Sequence, residues 1–307
     1  MVTESSHRAR IVHCRTFPYG PMGSLQKSET FMAHHHPGQT LIGLLPAAGK
    51  ATRIQPLPCS KELMPIGFQT IGMELGKENL RPKVVSHYLL DCMHHAGVRR
   101  AYIVINRGKW DIPAYYGPGT LTGIDLAYVV TDYPYGAPFS LKQVFPFVSD
   151  ATILLGFPDI VMSPVDGFSR LLKRKAETGA DLVLGLFRAA DPAKMDMVEL
   201  DDHGEVKALD IKPKTTALTY TWIIAVWSPA FTVFMQTHLD RVEPALRKTL
   251  QNEPADRLPE YYVGQVIQAA LKSKLSISNV IFEGTYTDIG TPDSLVAAMT
   301  QVATRRK

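Results

Sequence analysis

Between residues 40 and 189, short uninterrupted apolar runs alternate with stretches of helical periodicity, and few folds accept that order. Leu41-Ile42-Gly43-Leu44-Leu45-Pro46 reads as a buried strand running into a small-residue turn. Residues 83–97 carry Val84, Tyr88, Leu89, Cys92 and Ala96 at helical spacing, and residues 101–105 follow as a strand. Residues 126–130 form a further apolar run, 140–148 have helical character, and 151–156 make a third buried strand that ends at Phe157-Pro158-Asp159. Residues 168–179 form an amphipathic helix with a basic face, and 181–187 the next strand. A strand that is apolar throughout is one covered on both faces. The predicted fold class is therefore α/β, a Rossmann-like, doubly wound, mostly parallel sheet.

The pattern changes beyond Ala189. Short strands at 197–200, 206–211 and 220–226 are separated by Asp201-Asp202-His203-Gly204 and Pro213-Lys214, which are hairpin and loop signals. A helix at 259–272, a strand at 275–282 and a closing helix at 293–303 complete an α+β lobe. The expected organisation is an irregular extension over 1–39 and one domain over 40–307. That domain has its core at about 40–189 and its second lobe at about 190–307.

Charge narrows the class of ligand. The 33 Lys and Arg residues are dispersed among 29 acidic ones for a net charge of +4, which suits anionic small molecules and not a nucleic-acid tract. No apolar stretch reaches the roughly 18 residues a bilayer span needs, and the first forty residues lack the apolar region of a secretory signal. Cys14, Cys59 and Cys92 form no C-x-x-C pair. A reducing, cytoplasmic location with no membrane contact is expected.

The densest chemistry follows the first strand, in Pro46-Ala47-Ala48-Gly49-Lys50-Ala51-Thr52-Arg53 and then Cys59-Ser60-Lys61-Glu62-Leu63-Met64-Pro65. Small residues let backbone N–H groups approach phosphate oxygens, and Arg53 and Lys61 supply cations to neutralise them. The stretch is neither a P-loop nor a G-x-G-x-x-G fingerprint, which disfavours an NAD-binding dehydrogenase.

These residues resemble the sugar-1-phosphate nucleotidylyltransferases, whose first loop reads approximately Ala-Ala-Gly-x-Gly-Thr-Arg, followed by Pro-Lys or Ser-Lys and Leu-Leu-Pro. Ala51 stands where that loop has its second glycine. The resemblance implies that Ala47, Ala48, Gly49, Lys50, Ala51 and Thr52 bind the nucleotide, and that Arg53 and Lys61 are catalytic, stabilising charge on the α-phosphate and departing pyrophosphate. Asp159 resembles the family's Gly-Asp-Asn strand end and Asp288, in Tyr286-Thr287-Asp288-Ile289-Gly290-Thr291-Pro292, its Trp-x-Asp-x-Gly-Thr-Pro segment, which implies that the two carboxylates hold Mg²⁺.

Asp210-Ile211-Lys212-Pro213 is similar to the family's Glu-Glu-Lys-Pro, which assigns Lys212 to the acceptor's phosphate and puts Ile211 where a glutamate takes sugar hydroxyls. Trp222 is expected at the border of the acceptor pocket. Asp132-Tyr133-Pro134-Tyr135-Gly136 takes the place of the base-reading loop, with Tyr133 and Gly136 as candidates, and the resemblance implies dTTP or UTP without separating them. The implied reaction joins a nucleoside triphosphate to a sugar 1-phosphate with release of pyrophosphate, and a homo-oligomer is compatible with it. Two other readings stay open: a non-sugar phosphate acceptor, motivated by Ile211, and a non-catalytic nucleotide or sugar-phosphate sensor, motivated by Ala51 and the altered loops.

Overall fold

In the computed structural model, residues 40–74, 77–132, 135–250 and 260–304 are described. The described residues start with β1 (Leu41–Pro46), a hairpin of β2 (Pro65–Glu74) and β3 (Lys77–Val84), and α1 (Val85–His95). They continue through β4 (Arg100–Ile105), α2 (Asp111–Tyr116), β5 (Asp125–Val130), α3 (Ala137–Lys142), β6 (Thr152–Gly156), β7 (Ile160–Ser163), α4 (Gly167–Thr178) and β8 (Leu182–Arg188). Then come β9 (Asp196–Leu200), β10 (Val206–Ile211), β11 (Tyr220–Trp227), α5 (Pro229–Leu250), α6 (Val263–Lys272), β12 (Ile277–Ile281), β13 (Thr285–Asp288) and α7 (Pro292–Thr304).

The apolar runs segregate by alternation. Ile42, Leu44, Ile153, Leu155, Leu182, Leu184 and Leu186 point to one face of the sheet and pack on Phe139 of α3, Phe231 and Met235 of α5, and Ile267 of α6. Their alternates, among them Leu45, Leu154 and Val183, point to the other and pack on Leu89 and Met93 of α1 and Phe168 of α4. Each strand thus buries both of its faces, which is why its sequence shows no polar side. At about 25 cal/mol per Å² of apolar surface removed from water, these two layers dominate what holds the fold.

The nine-stranded sheet runs β10-β9-β11-β6-β1-β4-β5, with β8 paired to β11 and β12 paired to β8. Strands β5, β4, β1 and β6 are mutually parallel, and β8 and β12 share their direction, while β11 runs antiparallel between β6 and β8. The sheet is mixed but mostly parallel and covered on both faces, as the alternation predicts. It also continues through the expected change of character at 189–190, because β11 pairs with β6 and β8.

Several elements differ from the sequence reading. The stretch before α1 holds the β2–β3 hairpin, and residues 137–148 divide into the short α3 and a 3₁₀ turn at Phe145–Phe147. The long α5 buries Phe231, Met235 and Leu239 on one stripe despite Pro244 inside it. Strands β7 and β13 form a separate two-stranded ribbon in which Asp288 is registered opposite Ile160. At the start of α7, Thr291 and Ser294 exchange backbone-to-hydroxyl hydrogen bonds at 3.0 and 3.3 Å, which cap the helix.

Candidate active site

Parallel strands end on the same edge of a sheet, and the loops that leave them there collect side chains from distant parts of the sequence. Here the loops after β1, β4 and β6 meet. The β1 loop carries Arg53, the 3₁₀ turn Lys61–Leu63 carries Lys61, and the turn between β6 and β7 carries Asp159. Asp288 arrives on β13, where the Ile289 backbone N–H donates to the Asp159 carbonyl at 3.1 Å.

Lys61 and Asp159 form an ion pair with side chains only 12% and 19% exposed. Burial works against the Lys61 charge, but Asp159, with Glu62 and Asp288 behind it, outweighs burial and raises its pKa. Asp288 is pushed up, first by burial and then by the negative charge of Asp159, with Lys61, the Gly290 amide and Arg53 opposing. Arg53 lies against the same carboxylate: a Cβ on Gly290 would stand 2.8 Å from Arg53 Nη2 and 3.1 Å from Asp288 Oδ1. Two cations and two carboxylates, spaced widely in the sequence, therefore share one edge.

The loops are braced from beneath. Glu62 and Lys109 form a buried ion pair with Nζ at 2.7 and 2.8 Å from the two carboxylate oxygens. Burial leads in raising the Glu62 pKa, opposed mainly by Lys109. Asp111, at the start of α2, accepts from the Ser60 backbone N–H at 2.6 Å and from its hydroxyl at 2.7 Å. Asn106 Nδ2 donates to the Ala48 carbonyl at 2.7 Å, tying the β1 loop to the end of β4.

The loop itself is an open bend. Gly49 and Lys50 are exposed, Thr52 and Arg53 are exposed, and Ala51 takes φ +55°, the left-handed conformation that favours glycine. The family-like glycine position is thus conformationally real, and alanine occupies it under strain. Ala47 is buried and donates its N–H to the Val104 carbonyl at 2.7 Å, so that amide is committed to the sheet. Lys50, Ala51 and Lys61 line a cavity of about 420 Å³ together with Ser60, Asn106 and Lys109.

A second cavity of about 260 Å³ adjoins it at the Lys61–Asp159 pair and is lined by Asp159, Asp288, Phe157, Asp196, Lys212, Trp222 and Tyr262, among others. Lys212, in a left-handed conformation at φ +45° just after β10, holds its Nζ 3.6 Å from the centre of the Tyr262 ring. Trp222 packs tilted against Phe157 at 5.7 Å. The Asp196 carboxyl is raised to about 6 by burial, against the opposing effects of Lys212, the Gly264 amide and the Trp222 indole.

Gly136, at φ +97°, caps α3, and a side chain on it would collide with the Tyr261 carbonyl, so the close approach it permits is between two segments of this chain. Tyr133 lies outside the described residues. Sequence reasoning missed Asp196, Tyr262, Glu62 and Lys109. A lone acid between two methionines carries no signal until the pairing of β9 is known.

The Asp159–Asp288 pair offers hard oxygen ligands next to one another, and the mutual repulsion recorded in Asp288 is what a divalent cation would relieve. The donor chemistry therefore fits such an ion. Among the described residues no cluster of three His, Cys, Asp or Glu side chains is arranged to hold a metal, and no helix is long and apolar enough to cross a membrane.

Comparison with known proteins identifies the chain's relatives. The chain is 22% identical over 260 residues to the low-salt glycan biosynthesis nucleotidyltransferase Agl11 of Haloferax volcanii, covering 83% of this chain and 64% of that one. It is 22% identical over 250 residues to a glucose-1-phosphate thymidylyltransferase of Streptomyces antibioticus, covering 80% and 62%. It spans less than two thirds of the length of either relative. A Bacillus anthracis protein described as a glucose-1-phosphate thymidylyltransferase, solved with sucrose, superposes with a TM-score of 0.67 at 17% identity, over 86% of this chain and 95% of that one, and shares its fold. The family model Nucleotidyl transferase matches residues 42–305, and the chain belongs to that family.

Proposed function

We propose that the protein transfers a nucleotidyl group from a nucleoside triphosphate, dTTP or UTP, to a sugar 1-phosphate, releasing pyrophosphate. The observation that carries the reading is the convergence of Arg53, Lys61, Asp159 and Asp288 on one edge of the sheet, between two adjoining cavities. The cavity lined by Lys50, Ala51 and Lys61 suits the triphosphate, and the one lined by Lys212 and Trp222 suits the acceptor. Relatives named as a glycan biosynthesis nucleotidyltransferase and a glucose-1-phosphate thymidylyltransferase support the reaction class.

In this reading an acceptor phosphate oxygen attacks the α-phosphorus in line and pyrophosphate leaves, with no covalent enzyme intermediate. A phosphate monoester is already anionic, so no general base is needed, and catalysis consists of positioning and charge neutralisation. Lys212 orients the acceptor phosphate, Lys61 and Arg53 compensate charge on the phosphates, and the exposed β1 loop cradles them with its amides. Asp159 and Asp288 would hold Mg²⁺, which supplies Lewis-acid stabilisation of the phosphoryl oxygens when bound.

Pyrophosphate release with a panel of nucleoside triphosphates and sugar 1-phosphates in Mg²⁺ tests the proposal. Release that depends on both substrates is expected. Triphosphate binding with no turnover for any pair would instead support a ligand-binding protein of the same fold.

A further inference from the structure

The cavity beside Lys212 contains a hydrogen-bond donor and an acceptor that the described residues leave unsatisfied. Trp222 is 5% exposed and its indole Nε1 is buried without a partner among them. Asp196 Oδ1 is buried without one as well, and both residues line the cavity with Lys212. The two groups face each other, since the indole helps hold the Asp196 pKa down, yet neither closes a hydrogen bond of normal geometry. Buried polar atoms are nearly always paired, so a donor and an acceptor that face each other across an open pocket without bonding leave room for a ligand group that bridges them.

Strand register brings the acid to this place. Asp196 and Ile211 are cross-strand partners in the β9–β10 pair. Their side chains share a face, since a Cβ on Gly264 in α6 would collide with Asp196 Oδ2 and approach Ile211 Cδ1 to 2.7 Å. Side chains opposite one another in a non-twisted ladder stand about 4.5–5.5 Å apart, within reach of a common ligand. The carboxylate that the sequence resemblance leads one to expect immediately before Lys212 is absent from that position and present on the opposing strand.

We propose that Asp196 and Trp222 together recognise an acceptor hydroxyl, which makes the acceptor a polyhydroxylated phosphate such as a sugar 1-phosphate and not an ammonium-bearing alcohol phosphate. A hydroxyl accepts from the indole N–H while donating to the carboxylate. An ammonium group has no lone pair for the indole, and the Tyr262 ring face that would attract it is already covered by Lys212. This rests on the proposed function, in that the cavity is read as the acceptor site.

Steady-state pyrophosphate release by the full chain and by Asp196→Asn, with sugar 1-phosphates that each lack one hydroxyl, tests it. Expected is a roughly 10- to 100-fold fall in acceptor kcat/KM for D196N with an unchanged calorimetric Kd for the nucleoside triphosphate. One deoxy acceptor should be penalised by the wild type and not further by D196N. Equal acceptor kcat/KM in the two proteins overturns the inference while leaving nucleotidyl transfer intact. Should D196N fail to fold, the wild type decides alone: preference for an aminoalcohol phosphate over every sugar 1-phosphate overturns the inference, and preference for the sugar with a penalty for one deoxy acceptor supports it. Wild-type inactivity with every acceptor overturns both readings.

Discussion

Lys61 and Asp159, although 98 residues apart in the chain, are ion-paired at the junction of the two cavities. Each charge compensates the other here, and under the proposed function substrate phosphates would compete with Asp159 for the lysine. Lys61→Ala is expected to lower kcat for pyrophosphate release by about 10²–10³-fold, the usual consequence of removing one group that stabilises transition-state charge. A K61A enzyme with wild-type kcat would remove Lys61 from the chemistry.

Chelation gives a second test. EDTA is expected to abolish turnover and added Mg²⁺ to restore it, and D288N should raise the Mg²⁺ concentration for half-maximal velocity at least about tenfold, because an amide replaces one of two hard carboxylate ligands. An unchanged Mg²⁺ requirement in D288N would move the ion away from this pair.

Ala51 is under strain at φ +55°. A51G should retain activity and stabilise the full chain to denaturant by up to about 1 kcal/mol, the left-handed penalty of an L-residue less the entropy of glycine. A51V should lose stability, since β-branched residues tolerate that region worst. Equal midpoints for all three proteins would show that the bend relaxes when substituted.

The Glu62–Lys109 pair, with side chains 3% and 8% exposed, should behave as a buried ion pair. K109A is expected to destabilise the protein by about 3–5 kcal/mol by leaving the carboxylate uncompensated, while E62L/K109M should cost far less. Denaturant unfolding of the two variants distinguishes a brace from an incidental contact.

Acceptor binding should depend on pH through Asp196. Its carboxyl is raised to about 6 by burial, and the groups facing it are Lys212 from the end of β10, the Trp222 indole from β11, the Gly264 amide from α6 and the Glu260 carboxylate. As pH falls through 6 the carboxylate gains a proton and its hydrogen bond from an acceptor hydroxyl loses charge assistance, so acceptor KM should rise. Folding follows the opposite sign: a raised carboxyl pKa favours the native state at low pH, and that contribution is lost as pH rises through 6. Measuring KM from pH 5 to 8 in wild type and D196N checks this, the variant being expected to lack the inflection.

The parts of the fold that the sequence discloses are those whose apolar periodicity is local. The runs at 41–46, 151–156 and 181–187 became β1, β6 and β8 because each is apolar on both faces, and the loop after β1 is marked by small residues next to fixed cations. The β7–β13 ribbon was illegible because its pairing joins four mostly apolar residues, Ile160–Ser163, to four mostly polar ones, Thr285–Asp288, each too short to carry a period and far apart in the chain. Helix α5 has no counterpart in the sequence reading, although Pro229 begins it and Pro244 sits within it without ending it. Arg53, Lys61, Asp159 and Asp288 were named from motif order, and the structure brings the four to one edge of the sheet. Asp196 could not be named so, since its significance depends on standing opposite Ile211.

The reversal of β11 within an otherwise parallel run brings Trp222, near the beginning of that strand, to the edge where its neighbours finish. The segment joining β10 to β11 can therefore lengthen, shorten or change composition on that edge while the strands behind it keep their pairing. Under the proposed function, that connection is where the choice of acceptor could change without disturbing the loop after β1 on the far side of the sheet's centre.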